Sequence, residues 1–141
     1  MFGCRDGYVY CLDASDGQLV WRRRAAPDDR RLVANEQIES LWPVHGSVLV
    51  VDGRVYCVAG RSMFLDGGLH LLRLDATTGK PQFEEIMGDT LPDSDRALHT
   101  TARSLDMPVA LPDVLSSDGT RLYMRSQSIG LDGKRTDLAA S

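Results

Sequence analysis

The chain has 141 residues, of which 43% are hydrophobic, and this is enough for the core of one ordinary domain. Its 20 acidic and 16 basic residues give a net charge of −4, which argues against a surface that binds nucleic acid through its phosphates. The sequence contains no run of about 18 apolar residues and no signal-peptide pattern at its N-terminal end, so it predicts neither a membrane span nor a cleaved leader.

The first predicted element is a β-hairpin that starts at Tyr8. Residues 8–12 are rich in aromatic and β-branched side chains, which suit a pleated strand. Residues 13–17 read Asp-Ala-Ser-Asp-Gly, and this composition is typical of a turn in which Gly17 takes a positive φ. The return strand runs through Leu19, Val20 and Trp21.

A long connection is predicted over residues 22–42, and a second one over residues 88–107. The first holds a basic cluster that two aspartates, Asp28 and Asp29, interrupt. Charge runs are most often solvated, so this segment is interpreted as an exposed loop, with a patch that binds a partner as the alternative. The basic residues are Arg22, Arg23, Arg24, Arg30 and Arg31.

The next element is a hairpin around Asp52-Gly53, because an Asp-Gly step between two apolar runs is a strong signal for a tight hairpin turn. Residues 114–123 repeat this pattern around Asp118-Gly119. A further match is found at an offset of 66 residues. It relates Ser62, Leu65, Asp66 and Gly67 to Ser128, Leu131, Asp132 and Gly133.

The most informative pattern is a repeat with a fixed spacing of 62 residues, because a fixed period indicates a repeat architecture. It relates Leu12, Asp13, Ala14, Gly17 and Trp21 to Leu74, Asp75, Ala76, Gly79 and Phe83. We expect the two aromatic side chains to be buried at equivalent places. We also expect hairpin turns with positive φ at Gly17, Gly53, Gly79 and Gly119.

These residues resemble the repeat of quinoprotein-like β-propellers, of the pyrroloquinoline-quinone (PQQ) type, in which Leu-Asp-Ala is followed by a glycine and then a tryptophan. The resemblance implies an all-β fold, a partial propeller of antiparallel four-stranded blades. A propeller needs about four to eight blades, and this sequence offers only about eight strands. The resemblance then divides one domain, residues 1–141, into the end of a blade (1–26), a complete blade (43–88) and the start of a blade (108–141).

The sequence offers no catalytic, cofactor-binding or metal-binding residue. The three histidines lack partners at ligand spacing, and residues 89–95 lack the pattern of a calcium-binding loop. The three cysteines are read as free and apolar, although a Cys4–Cys11 disulfide stays open as an alternative. His45 and Arg61 are the candidate surface-contact residues, since they lie where loops are expected to meet the face of a ring.

The sequence therefore predicts a non-catalytic propeller segment that binds a protein partner or serves as a scaffold, with no cofactor. The chain is expected to associate with a protein partner or with itself through open blade edges. The resemblance also implies an exported or periplasmic parent protein. The alternative is a part of a quinone-dependent oxidoreductase or of a polysaccharide-acting propeller whose catalytic residues lie outside this chain.

Overall fold

The computed structural model describes residues 1–44, 48–62, 65–88, 114–124 and 127–134, and these residues form twelve β-strands in four antiparallel sheets. The predicted all-β partial propeller is confirmed. The strands are β1 (Phe2–Gly3), β2 (Tyr8–Leu12), β3 (Leu19–Arg24), β4 (Arg31–Ala34), β5 (Gln37–Ser40), β6 (Leu49–Val51), β7 (Arg54–Ala59), β8 (Leu69–Asp75), β9 (Pro81–Met87), β10 (Ser116–Ser117), β11 (Arg121–Met124) and β12 (Gln127–Gly130).

Three of the sheets are successive antiparallel meanders. We call β1-β2-β3 the first sheet, β6-β7-β8-β9 the middle sheet and β10-β11-β12 the third sheet. The 62-residue repeat aligns β2 and β3 with β8 and β9. The Asp-Gly turns align β10 and β11 with β6 and β7. The first sheet therefore lacks a counterpart of β6, and the described part of the third sheet lacks a counterpart of β9.

Strands β7 and β8 of the middle sheet are buried on both faces because their side chains alternate between two hydrophobic clusters. On β7, Val55 and Cys57 belong to the cluster shared with the first sheet, while Tyr56 and Val58 belong to the cluster shared with the third sheet. Side chains of successive residues point to opposite faces of a strand, so near-continuous apolar runs are what such a sheet requires. The face-to-face stacking of three sheets places the core between them.

The repeated aromatic residues connect one sheet to the next. A Cβ atom added at Gly79 would lie 2.6 Å from the ring of Trp21, and one added at Gly133 would lie 2.6 Å from the ring of Phe83. Each ring thus packs directly on a glycine of the turn in the following sheet. Trp21 is buried as expected, and Phe83 is partly exposed but packs against the hydrophobic cluster shared with the third sheet.

All four glycines expected at hairpin turns have a positive φ, between 70° and 92°. Asp52 precedes Gly53 with a φ of 51°, and two successive positive values are the signature of the type I′ turn that suits a hairpin. These glycines are Gly17, Gly53, Gly79 and Gly119.

The match at an offset of 66 residues is wrong in structural terms. Asp66 and Gly67 lie in the loop between β7 and β8, but Asp132 and Gly133 follow β12, the counterpart of β8. Gly133 therefore corresponds to Gly79, as the packing of the aromatic rings also indicates. A Leu-Asp-Gly triplet suits many turns, so its recurrence alone does not establish equivalence.

The connection predicted over residues 22–42 is also incorrect. Strand β3 continues to Arg24, and residues 31–40 form a separate two-stranded hairpin, β4–β5. This hairpin adds two strands that the estimate of about eight did not include, and the described residues form twelve in all. The acidic stretch around Asp89 and the second long connection lie outside the described residues, apart from Gly88.

Candidate protein-contact surface

The β4–β5 hairpin is built around a tight two-residue turn at Asn35 and Glu36, which have φ values of 50° and 63°. Asparagine tolerates this left-handed conformation because its short side chain can bond the local backbone, whereas glutamate adopts it at a cost. The register pairs Ala34 with Gln37 and Val33 with Ile38. A type I′ turn of this kind matches the natural twist of the two strands.

The hairpin displays an apolar pair to solvent. Val33 and Ile38 lie directly opposite each other and are 74% and 71% exposed. They are the most exposed large apolar side chains among the described residues, and they are adjacent rather than scattered. Single exposed apolar residues need no explanation, but paired ones on a projecting element are typical of interaction sites.

The base of the hairpin is anchored by Trp42, which is only 3% exposed. Its indole Nε1 donates a hydrogen bond of 2.9 Å to the carbonyl oxygen of Asp66, and the guanidinium of Arg30 lies 4.9 Å from its ring centre. Ser40 continues the attachment, since its amide donates to the carbonyl oxygen of Arg5 at 2.9 Å. The hairpin is therefore held at its base while its turn projects.

A buried histidine lies beside this anchor. The Nδ1 atom of His70 is 2.7 Å from a carboxylate oxygen of Glu84, and its imidazole meets the ring of Trp42 edge-on at 6.3 Å. His70 is on β8 and Glu84 on β9, so the contact joins two neighbouring strands of the middle sheet. His70 is thus packed inside the sheet stack, as its position within a strand suggested.

Of the two contact residues predicted from the sequence, Arg61 lies among the described residues. The side chain of Arg61 is 32% exposed and lies 3.5 Å from the carboxylate of Asp66, in the loop that receives the Trp42 hydrogen bond. Arg61 is therefore near the hairpin anchor. His45 lies outside the described residues.

The basic cluster does not form one patch of free positive charge. Arg23 donates from Nε to the carbonyl oxygen of Gly79 at 2.8 Å, and Arg22 lies over the ring of Tyr8. Arg30 pairs with Asp28 at 2.9 Å, and this hydrogen-bonded neighbour lowers the pKa of the Asp28 carboxyl, chiefly through the Arg30 amide. The structure thus supports the solvated interpretation for the pairs at residues 28–31 and gives Arg23 a role in sheet packing.

The described residues do not fit a quinone–calcium centre. No group of three or more His, Cys, Asp or Glu side chains in this part of the chain is arranged to hold a metal ion. The thiol of Cys57 is enclosed by apolar side chains, which raises its pKa to about 12 and makes it a poor ligand and nucleophile. The cysteines are free, so the Cys4–Cys11 disulfide is not formed.

The repeated aspartates serve their own turns. The carboxylate of Asp13 accepts from the hydroxyl and amide of Ser15, and that of Asp75 accepts from the amides of Thr78 and Thr77. These bonds lower the pKa of both carboxyls, because they stabilise the ionised form. Leu12, by contrast, is 40% exposed although its counterpart Leu74 is fully buried.

Sequence reasoning missed the hairpin, which is the most distinctive surface element. The signal was present, since Leu-Val-Ala and Gln-Ile-Glu flank Asn35, a residue that suits a tight turn. The segment was interpreted as a solvated loop because of the arginines near it. The described residues contain no helix that is long and apolar enough to cross a membrane.

Comparisons with known proteins agree with the fold. The quinohemoprotein alcohol dehydrogenase ADHIIG from Pseudomonas putida HK5 matches 91% of this chain with a TM-score of 0.57 and 21% identity. BamB from Moraxella catarrhalis matches 99% of the chain with a TM-score of 0.31 and 17% identity. The chain spans only 19% of the first protein and 44% of the second. No curated protein matches it in sequence.

A family profile described as outer membrane protein assembly factor BamB matches residues 3–135. This range includes all three stacked sheets and the β4–β5 hairpin. The chain therefore belongs to the BamB-like family of PQQ-type β-propeller proteins.

Proposed function

We propose that this chain is a non-catalytic propeller segment that binds another protein through the β4–β5 hairpin. The single observation that carries the proposal is the exposed cross-strand pair of Val33 and Ile38. An apolar pair of this kind gains free energy when a partner covers it, at about 25 cal/mol per Å² of buried apolar surface. Membership of a family named for outer membrane protein assembly supports a contact with another protein.

Arg61 is proposed to extend this surface at the base of the hairpin, and His45 is proposed as a further contact residue. Arg61 keeps about a third of its side chain in solvent beside the Trp42 anchor, so a partner that covers the hairpin would also reach it. Arginine is well suited to this place because it combines charge with a planar apolar face. The partner surface that fits is apolar at its centre with an acidic margin.

The blade division is likewise proposed: residues 1–26 end one blade, 43–88 form a complete blade and 108–141 begin a third. The alignment of β2 and β3 with β8 and β9 supports it. On this division the β4–β5 hairpin is inserted between two blades. Insertions between blades vary the surface without disturbing the stack, which makes them suitable as binding elements.

Photo-crosslinking in the parent protein tests the proposed contact. A photoreactive phenylalanine analogue is placed at position 33 or 38, and in a control at position 86, where Ile86 is also exposed on β9. We expect both hairpin positions to give one discrete protein adduct that the control position does not give. Adducts of equal yield at position 86, or none at positions 33 and 38, would contradict the proposal.

A second measurement addresses catalysis. Purified protein with added pyrroloquinoline quinone and calcium should reduce no dye in the presence of alcohol, because the described residues include no group of three or more His, Cys, Asp or Glu side chains that could hold the calcium ion. Quinone-dependent dye reduction that a chelator abolishes would establish the oxidoreductase alternative instead.

A further inference from the structure

Strand β4 of the projecting hairpin leaves a row of backbone groups without a partner. In the ladder with β5, Ala34 pairs with Gln37 beside the turn, and from there every second pair of facing residues exchanges hydrogen bonds. The amide and carbonyl groups of Arg31 and Val33 therefore point away from β5. Among the described residues, no backbone hydrogen bond reaches these outward groups. The outer side of β4 is thus an open strand edge with two successive outward-facing residues.

The opposite edge of the hairpin is already engaged at its base. By the same alternation, the outward-facing residues of β5 are Ile38 and Ser40. The amide of Ser40 donates to the carbonyl oxygen of Arg5 at 2.9 Å, so this edge is attached to the turn between β1 and β2. An incoming strand therefore finds two consecutive free residues on β4 but not on β5.

The side chains at the β4 edge define the chemistry of the strand that fits. Val33, Ile38 and Arg31 share the exposed face of the hairpin, whereas Glu39, on the other face, is only 3% exposed. An apolar residue opposite Val33 would extend the exposed apolar pair to a row of three. A carboxylate opposite Arg31 would meet a guanidinium that now makes a single contact of 3.4 Å with the carboxylate of Asp29. Exposed ion pairs of that kind are weak and exchange readily.

We propose that the hairpin binds its protein partner by β-augmentation, in which an extended segment of the partner pairs antiparallel with β4. The segment carries a β-branched residue opposite Val33 and, two positions later, an aspartate or glutamate opposite Arg31. Antiparallel pairing lets each outward residue of β4 exchange both of its hydrogen bonds with one residue of the segment. The main-chain bonds supply affinity, and the two side chains supply specificity. This mode of binding rests on the proposed function of the hairpin as the contact surface.

A second copy of the chain fits this edge poorly. Two β4 strands that exchange all of their outward hydrogen bonds must be related by a twofold axis at Leu32. That register places Arg31 of one copy directly beside Val33 of the other, so a charged side chain interrupts the apolar row. The edge therefore favours a segment of a different protein.

Fluorescence anisotropy with a synthetic strand tests the pairing. The probe is a carboxyfluorescein-labelled peptide, Lys-Thr-Val-Thr-Glu-Thr, whose valine and glutamate have the proposed spacing. We expect saturable binding to the purified chain with a dissociation constant below about 1 mM. N-methylation of the valine removes the donor to the Val33 carbonyl oxygen and should weaken binding about tenfold. N-methylation of the threonine that follows it, whose amide points away from β4, is the matched control and should change binding less than about twofold.

Two proline variants of the protein form a second matched pair. Val33→Pro removes an outward amide of β4, and Ile38→Pro removes one of β5. Each variant also removes one member of the apolar pair, and neither removes a hydrogen bond between the two strands. Val33→Pro should weaken peptide binding about tenfold or more, and Ile38→Pro about threefold or less. Circular dichroism checks that both variants keep their sheets, and the methylated peptides test the pairing on the unaltered chain.

Three results would overturn strand pairing at β4. The first is no saturable binding of the unmethylated peptide up to about 1 mM, and the second is an equal loss of binding from the two methylations or from the two proline variants. The third is self-association of the chain that Val33→Pro abolishes, because a second copy would then occupy the edge. A discrete photo-crosslinked adduct at positions 33 and 38 together with any of these results would keep the hairpin as the contact surface and reject only the strand pairing.

Discussion

Trp21 contributes to the fold through both packing and a hydrogen bond. Its ring covers Gly79, and its Nε1 donates to the carbonyl oxygen of Ala76 in the next sheet. Both contacts cross the interface between two sheets, and each joins residues that are more than fifty positions apart in sequence. Together with the bond from Arg23 Nε to the carbonyl oxygen of Gly79, these contacts hold the first sheet against this turn of the middle sheet.

We expect Trp21→Ala to lower the free energy of unfolding by about 3 to 5 kcal/mol, since it leaves a cavity between two sheets. Trp21→Phe, the control, keeps most of the ring and loses only the hydrogen bond, so it should cost about 1 kcal/mol. Urea denaturation followed by circular dichroism measures both. A loss below about 1 kcal/mol for the alanine variant would mean that the ring is not part of the core.

Phe83 shows where residue-level reasoning stopped short. The repeat predicted burial of its ring at a place equivalent to that of Trp21, but it did not indicate that the ring packs on Gly133 and stays partly exposed. Arg73 lies over the ring at 4.8 Å and donates to the carbonyl oxygen of Leu131, so an arginine covers one side of the ring. That arrangement depends on the position of the third sheet, which the local sequence does not specify.

Among the structural elements, hairpin turns that contain glycine were predicted from the sequence, whereas the turn without glycine was not. Asp52-Gly53 was predicted because glycine pays nothing for a positive φ. The turn at Asn35 and Glu36 was missed because glutamate is unfavourable in that conformation, so that Asn35 was the single residue in it that indicated a tight turn. The pairing of β4 with β5 imposes this turn, and the strand contacts offset the unfavourable conformational free energy of Glu36.

Glu36→Gly should relieve this strain and stabilise the β4–β5 hairpin by up to about 1 kcal/mol. Amide hydrogen exchange at Ala34 and Gln37, the hydrogen-bonded pair that closes the two-residue turn, reports the local stability. Slower exchange is expected at these amides, while those of the middle sheet should not change. The control is Glu39→Gly, which removes a side chain within β5 and should accelerate exchange. Faster exchange in Glu36→Gly would show that Glu36 stabilises the turn.

For the whole molecule, the open edges predict association of the purified chain. β1 and β12 each lack a second neighbouring strand within the described sheets, and unpaired edges readily pair with other chains. Multi-angle light scattering should show a discrete oligomer, because the edges of successive copies can complete a blade head to tail. A stable monomer would contradict this prediction, and a polydisperse aggregate would show that the edges pair without specificity.

The sequence by itself determined the repeat and the glycine-containing turns, because these follow from local chemistry such as Asp-Gly steps and a recurring Leu-Asp-Ala pattern, and the resemblance of that repeat to PQQ-type propellers implied the fold class. The tertiary structure decided what these local units contact. It showed that Gly133 corresponds to Gly79 and that residues 31–40 form a projecting hairpin. Each of these properties depends on which sheet lies beside which, and such contacts join residues far apart in the chain.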